Sequence, residues 1–323
     1  MKNIICEKLG IKYPILQGPM AWASDSTLSS AVSNLGGLGL MGIGFCPPDI
    51  FRNEIRKIKE LTDKPYGLNL LTCLPTIDEI FKIILEEKVP VVEIETPPPF
   101  YNTLSDYISK LKENGTVVIG KVASVNEATV FENAGVDILS VKGADGGGHI
   151  YGLTGTFTLI PQVVDAVSIP VINSSGIYDG RGMAASFMLG AVGIEMGSRF
   201  LMTKECPIHE NYQIALINSK EGDTVVTGLS VHDGVRMLNN DLAKTLLKIE
   251  KENDVETASK LIEQQCTGSL RKSTVLGEVI NEGTVTVGQI NGMLCTVQSV
   301  EEIMKEIISD FNEIISNSSS LKF

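Results

Sequence analysis

Eight short apolar runs, each followed by a segment of helical period, set the strongest limit on what this chain can fold into. The runs lie at 13–17, 38–43, 66–70, 89–94, 116–122, 136–141, 169–173 and 192–196. They are rich in Val, Ile and Leu and almost continuously apolar, as strands buried on both faces must be. Between them, 49–61 gathers Ile50, Ile55, Ile58 and Leu61 toward one face, and 76–87 gathers Ile77, Ile80, Phe81 and Ile84. The segment 125–134 stops at Gly135 and 182–189 at Gly190. Glycine most readily takes the left-handed turn that closes a helix. A strand–helix unit repeated eight times predicts an α/β fold, a (β/α)8 TIM barrel. An open doubly wound sheet usually has fewer strands in unbroken alternation.

The rhythm breaks after about residue 204. The segment 205–285 is more charged and reads as helices and loops, 240–265 included. The expected organisation is a barrel of 1–204 plus 286–323, with 205–285 as a helical extension or lid beside the mouth. At 299–317, Ser299 and Glu302 make a capping box ahead of the stripe Val300, Ile303, Met304, Ile307, Ile308 and Phe311.

Composition removes several function classes. The net charge of −12 argues against nucleic-acid binding, which needs a basic face. No apolar run reaches the ~18 residues of a membrane span, and the N-terminal stretch lacks a signal-peptide pattern. The expectation is a cytoplasmic protein without membrane contact. The six cysteines are scattered, with no C-x-x-C pair, so they read as reduced thiols and no metal site is expected.

Gly37, Gly39 and Gly42 spell G-x-G-x-x-G, but a dinucleotide fingerprint follows a strand and opens a helix. Here a helical segment precedes and the strand itself holds the glycines, which reads as close packing. More informative are Ser174-Ser175-Gly176-Ile177 and Gly197-Ser198-Arg199-Phe200, after the seventh and eighth runs. Barrel enzymes often hold a phosphate at these two positions, on backbone N–H groups. The plain alternative is two ordinary turns. After the sixth run comes Gly143-Ala144-Asp145-Gly146-Gly147-Gly148-His149. Its glycines let backbone approach a flat ligand, and His149 can move protons near neutral pH; a lone His is otherwise more often structural. Lys121 and Lys142 end the fifth and sixth runs and can point into a barrel mouth or simply into solvent. Asn69 ends the third run, where it could bond the edge of a heterocycle. Gln17-Gly18-Pro19-Met20-Ala21 follows the first run and suits the lining of a ring system.

These motifs, taken in order with Lys64-Pro65-Tyr66-Gly67-Leu68-Asn69, Pro161-Gln162-Val163-Val164-Asp165-Ala166-Val167, Asp179-Gly180 and Gly288-Gln289-Ile290-Asn291-Gly292, resemble the 2-nitropropane dioxygenase superfamily. It includes nitronate monooxygenases and the flavin enoyl-ACP reductase II. The resemblance implies one non-covalent FMN at the barrel mouth. By matching position, Pro19, Met20 and Ala21 would contact the flavin ring. Asn69, Lys121 and Lys142 would sit at its polar edges or near the ribityl chain. Gly147, Gly148, Gly176, Gly197 and Ser198 would cradle ribityl and phosphate, and His149 would be the active-site base. The chain departs from the family at Pro97-Pro98-Pro99, where some nitronate monooxygenases carry a Ser/His segment.

The first expectation is oxidation of alkyl nitronates with O2, His149 acting as base. The alternative is an enoyl-ACP (enoyl-thioester) reductase with NADH or NADPH as electron donor. A second alternative is a non-redox barrel binding a phosphorylated ligand. The substrate is accordingly a small molecule or an acyl thioester, and a homodimer is left open.

Overall fold

The computed structural model describes residues 3–318. Its strands are β1 (Ile15–Gln17), β2 (Leu38–Met41), β3 (Gly67–Leu71), β4 (Val91–Glu95), β5 (Val117–Val122), β6 (Ile138–Val141), β7 (Gly148–His149), β8 (Val171–Asn173), β9 (Gly193–Met196), β10 (Thr224–Thr227) and β11 (Val235–Leu238). β1 to β6, β8 and β9 close into a barrel in chain order, every pairing parallel, with β1 bonded to both β2 and β9. Each barrel strand falls within or overlaps one of the apolar runs, so the (β/α)8 expectation holds.

Side chains alternate across a strand, so every second residue enters the barrel. Leu16, Leu40, Val91, Ile119, Ile138 and Ile172 form one buried cluster with Ile5 and Leu9 of the helix Ile4–Leu9. That fills the end where the strands begin with the branched apolar layer usual for such barrels. Two residues onward on the same inward faces stand Glu93, Lys121, Ser140, Ser174 and Glu195. The interior therefore changes from apolar to charged as it approaches the mouth.

The glycines of the G-x-G-x-x-G run serve packing. A Cβ on Gly39 would fall on the backbone of Ser29, and one on Gly42 on that of Met20. The closing helix Val300–Asn317 begins with the anticipated capping box of Ser299 and Glu302. It is tied down by Arg199, only 1 % exposed, which donates to Gln298 Oε1 (2.8 Å) and Glu306 Oε2 (3.0 Å) and lies over the Tyr178 ring.

The segment 205–285 departs from the reading as helices and loops. It holds the helices Glu210–Ile217, Asp241–Glu252, Val255–Cys266 and Ser269–Thr274, but also the antiparallel pair β10–β11. β7 adds to this pair as a third strand, with Val235 opposite His149. These strands are four residues or fewer and escape a periodicity reading. The stretch 240–265 holds two helices, because Asp254 accepts from Thr257 N–H and starts a new one. Among the described residues no helix is long and apolar enough to cross a membrane.

Candidate active site

A cavity of about 680 Å³ opens at the carboxyl ends of the barrel strands. It lies between the mouth and the 205–285 segment, within the size range of small-molecule and cofactor sites. Pro19, Met20, Ala21, Asn69, Lys121, Lys142, Gly147, Gly148, His149, Gly176, Gly197 and Ser198 all line it. The fold thus brings to one cavity every residue that the resemblance placed at the cofactor or as the active-site base.

The floor is an ion network. Lys121 Nζ bridges Glu195, and reaches Glu93 at 3.4 Å, Ser174 Oγ at 2.7 Å and Ser140 Oγ at 3.2 Å. Ser140 and Ser174 in turn donate to the two oxygens of Glu195, at 2.7 and 3.0 Å. Gly18 has to be glycine here, since a Cβ would sit 2.5 Å from Glu195 Oε1. Burial and the neighbouring Glu195 charge push Glu93 well above the usual carboxylate range. Burial also raises Glu195, but Lys121 and the hydrogen bonds around it win and hold it down to about 2. Burial lowers Lys121, and the two glutamates more than reverse that. One proton is thus kept on Glu93, while Lys121 and Glu195 stay charged.

Lys142 differs from Lys121. Among the described residues its ammonium donates to a single acceptor, the Gly147 carbonyl at 2.7 Å. Burial and the nearby Lys121 charge push it down to about 8.

At the rim, His149 stands on β7 and not on a free loop. Its Nε2 is 3.4 Å from Asp233 Oδ1, and its ring stacks on Tyr151 at 6.3 Å. The Tyr151 hydroxyl donates to Glu95. His232 lines the cavity as well, whereas His209 caps the helix Glu210–Ile217 through the Asn211 N–H.

Glycines also line the cavity. Among the described residues the N–H groups of Gly176 and Gly197 have no acceptor within the chain. Gly176 needs its left-handed φ of +72°, and a Cβ on Gly197 would meet nothing nearer than Met20 Sδ at 3.4 Å. Gly147 is held against the late Gly288-Gln289 segment, where Gln289 N–H donates to Asp145 O at 2.9 Å. A Cβ on Gly147 would lie 2.6 Å from the Val287 carbonyl carbon and 2.7 Å from Gly288 N, both backbone atoms. Gly147→Ala is therefore expected to cost about 1–3 kcal/mol, as overpacking does; an unchanged urea midpoint would contradict this packing.

The sequence profile of the nitronate monooxygenase family matches residues 2–310. The chain belongs to the nitronate monooxygenase family. A probable nitronate monooxygenase of Staphylococcus haemolyticus is 31 % identical, the match covering 97 % of this chain and 98 % of the relative. One from Staphylococcus aureus (strain JH9) is 32 % identical with the same coverage. Among solved structures, FabK from Thermotoga maritima superposes with a TM-score of 0.93 at 38 % identity over 100 % of both chains. A nitroalkane oxidase from Streptomyces ansochromogenes, at 23 % identity, covers 95 % of this chain and 97 % of its own with a TM-score of 0.80, and shares the fold.

Membership makes the chain a flavin-dependent type of oxidoreductase and sets aside the non-redox alternative. The glycine lining suits such a cofactor: unpaired N–H groups at Gly176 and Gly197 are the donors a phosphate requires, and Gly147 and Gly148 leave backbone at the cavity surface. Of the two lysines, only Lys142 keeps donors free. Sequence reasoning missed Glu93, Glu195, Glu95, Tyr151 and Asp233. The first three were visible as acidic residues inside otherwise apolar strands; Tyr151 and Asp233 had no such signal.

Proposed function

We propose that this family member is an FMN-dependent reductase of enoyl thioesters, fed by NADH or NADPH. The observation that carries the reading is the apolar part of the cavity lining. Leu74, Met237, Leu246, Ile262, Leu270 and Ile290 line it, mostly contributed by the 205–285 segment. An acyl chain needs such apolar surface, and a short alkyl nitronate does not. The resemblance to the flavin enoyl-ACP reductase II and the 38 % identity to FabK of Thermotoga maritima support it.

In this reading Gly176, Gly197 and Ser198 offer N–H groups to the phosphate, Gly147 and Gly148 border the ribityl chain, and Pro19, Met20, Ala21 and Asn69 meet the ring. The bound flavin supplies hydride transfer between the nicotinamide and the conjugated C=C bond. His149 stands at the rim, where it orients the thioester and supplies the proton that completes reduction. The staphylococcal relatives named probable nitronate monooxygenases favour a second reading, in which His149 removes the acidic C–H proton of a nitroalkane.

Anaerobic mixing with NADH or NADPH separates the two. Bleaching of the oxidised-flavin band at ~450 nm, followed by reoxidation with an enoyl thioester, is expected. No bleaching with either nucleotide, and bleaching with an alkyl nitronate, would replace this reading with the second.

A further inference from the structure

The cavity holds two buried lysines that the chain treats in opposite ways. Lys121 is saturated by two carboxylates and two hydroxyls. Lys142 has one carbonyl acceptor and, among the described residues, no carboxylate within ion-pair distance. The glycine run wraps its stem: a Cβ on Gly146 would lie 2.8 Å from Lys142 Cε, and one on Gly148 would lie 3.9 Å from Nζ. An ammonium enclosed without a counter-ion is costly. Such a group is stabilised when negative charge arrives beside it, and only then.

We propose that Lys142 is the charge-compensating group of this site, taking up a proton when the flavin ring bound in the cavity gains negative charge on two-electron reduction. The inference rests on the flavin reading above. The reductant delivers two electrons and one proton to the ring, which gains one negative charge. The Lys142 amine takes a second proton from water and returns it on reoxidation.

The groups facing Lys142 leave it as the one that responds. Glu93 and Glu95 come from β4, Lys121 from β5 and Glu195 from β9. Glu195 is fixed as an anion by Lys121 and Glu93 keeps its proton. Asp145, in the glycine loop, is occupied by the Thr156 N–H and hydroxyl at 2.8 and 2.7 Å. Glu95 is occupied by the Tyr151 hydroxyl, and Lys142, pushed down to about 8 by burial and the Lys121 charge, is left to change its proton occupancy above that pH.

The test is potentiometric titration of the flavin-loaded protein from about pH 6 to about pH 10, a range that spans a depressed lysine. In the wild type the midpoint should follow one proton per two electrons at low pH and steepen to two above about pH 8. Lys142→Met should keep the one-proton slope throughout and bind reduced flavin about 10–1,000-fold more weakly relative to oxidised, the effect of losing an opposite charge at close range. Lys142→Arg, always charged, should restore tight binding of the reduced form without the steepening. A wild type that never steepens, or a Lys142→Met variant that still does, overturns the proposal with the flavin reading intact. A protein that takes up no flavin overturns that reading and the proposal with it.

Discussion

Lys121→Met is expected to lower stability by about 3–5 kcal/mol at pH 7, the usual result of removing one partner from a buried ion network. The methionine fills similar volume, so the loss is electrostatic and not a cavity effect. Lys121 is only 9 % exposed on its side chain and holds Glu195, which is 4 % exposed. Without the ammonium, Glu195 must either stay charged in a closed site or take a proton that the unfolded chain would not hold at neutral pH. Urea unfolding across pH separates this from a packing defect. Wild-type Glu195 has a folded pKa of about 2 against an unfolded value of 4.5. Its contribution is present above 4.5 and lost as pH falls toward 2. In the variant, burial is no longer offset by the ammonium and raises Glu195 against the remaining hydrogen bonds from Glu93 and Ser140, so its contribution is present below 4.5 and lost as pH rises. The deficit should therefore shrink on acidification, and a deficit that stays constant from pH 7 to pH 4 would place the loss in packing.

Glu93→Gln provides the internal contrast. Glu93 keeps its proton in the folded protein and donates it to Glu195, a donation an amide can also make. Because its folded pKa is raised, the wild-type acid costs stability once pH passes the unfolded value of 4.5. The amide carries no such cost. The variant should match or exceed wild type at pH 7, and the difference should vanish below about pH 4.5.

The alternation that made the barrel legible also hid its floor. The runs 89–94 and 192–196 were apolar enough to be strands, and a glutamate within each looked like a minor interruption. Inward-facing parity puts Glu93 and Glu195 in the same layer as Lys121, but that is visible only once the barrel closes β9 against β1. Nothing local connects residues a hundred positions apart. The glycine-lined wall was legible because its free donors are backbone, and glycine and serine at two strand ends report backbone geometry directly. The hairpin β10–β11 was not, because four-residue strands carry too little pattern. With it went Asp233, whose place beside His149 comes from the pairing of β11 with β7. Lys121 and Lys142 look equivalent in sequence, each closing a strand, and their separation into a paired and an unpaired lysine depends on which carboxylates the closed barrel supplies.

His149→Ala should keep the flavin and lower kcat on the order of 10²–10⁴-fold, the usual worth of a positioned general acid or base. His149 touches the floor network nowhere among its described partners, so neither fold nor cofactor retention should change. Its imidazole is held at the rim by Asp233 and by the Tyr151 ring, which is itself tied to Glu95. Both tethers leave the side chain 57 % exposed to the cavity and its entrance. In the reductase reading, hydride leaves the nicotinamide without a proton transfer at His149. The variant should then bleach with NADH or NADPH at the wild-type rate and fail on reoxidation by the enoyl thioester. His232→Ala is the control: this residue also lines the cavity but sits in the left-handed turn at φ +61°, and its loss should leave both half-reactions unchanged. If His149→Ala reoxidises normally and His232→Ala does not, the proton comes from the turn of the 205–285 segment, and the roles of the two histidines are reversed.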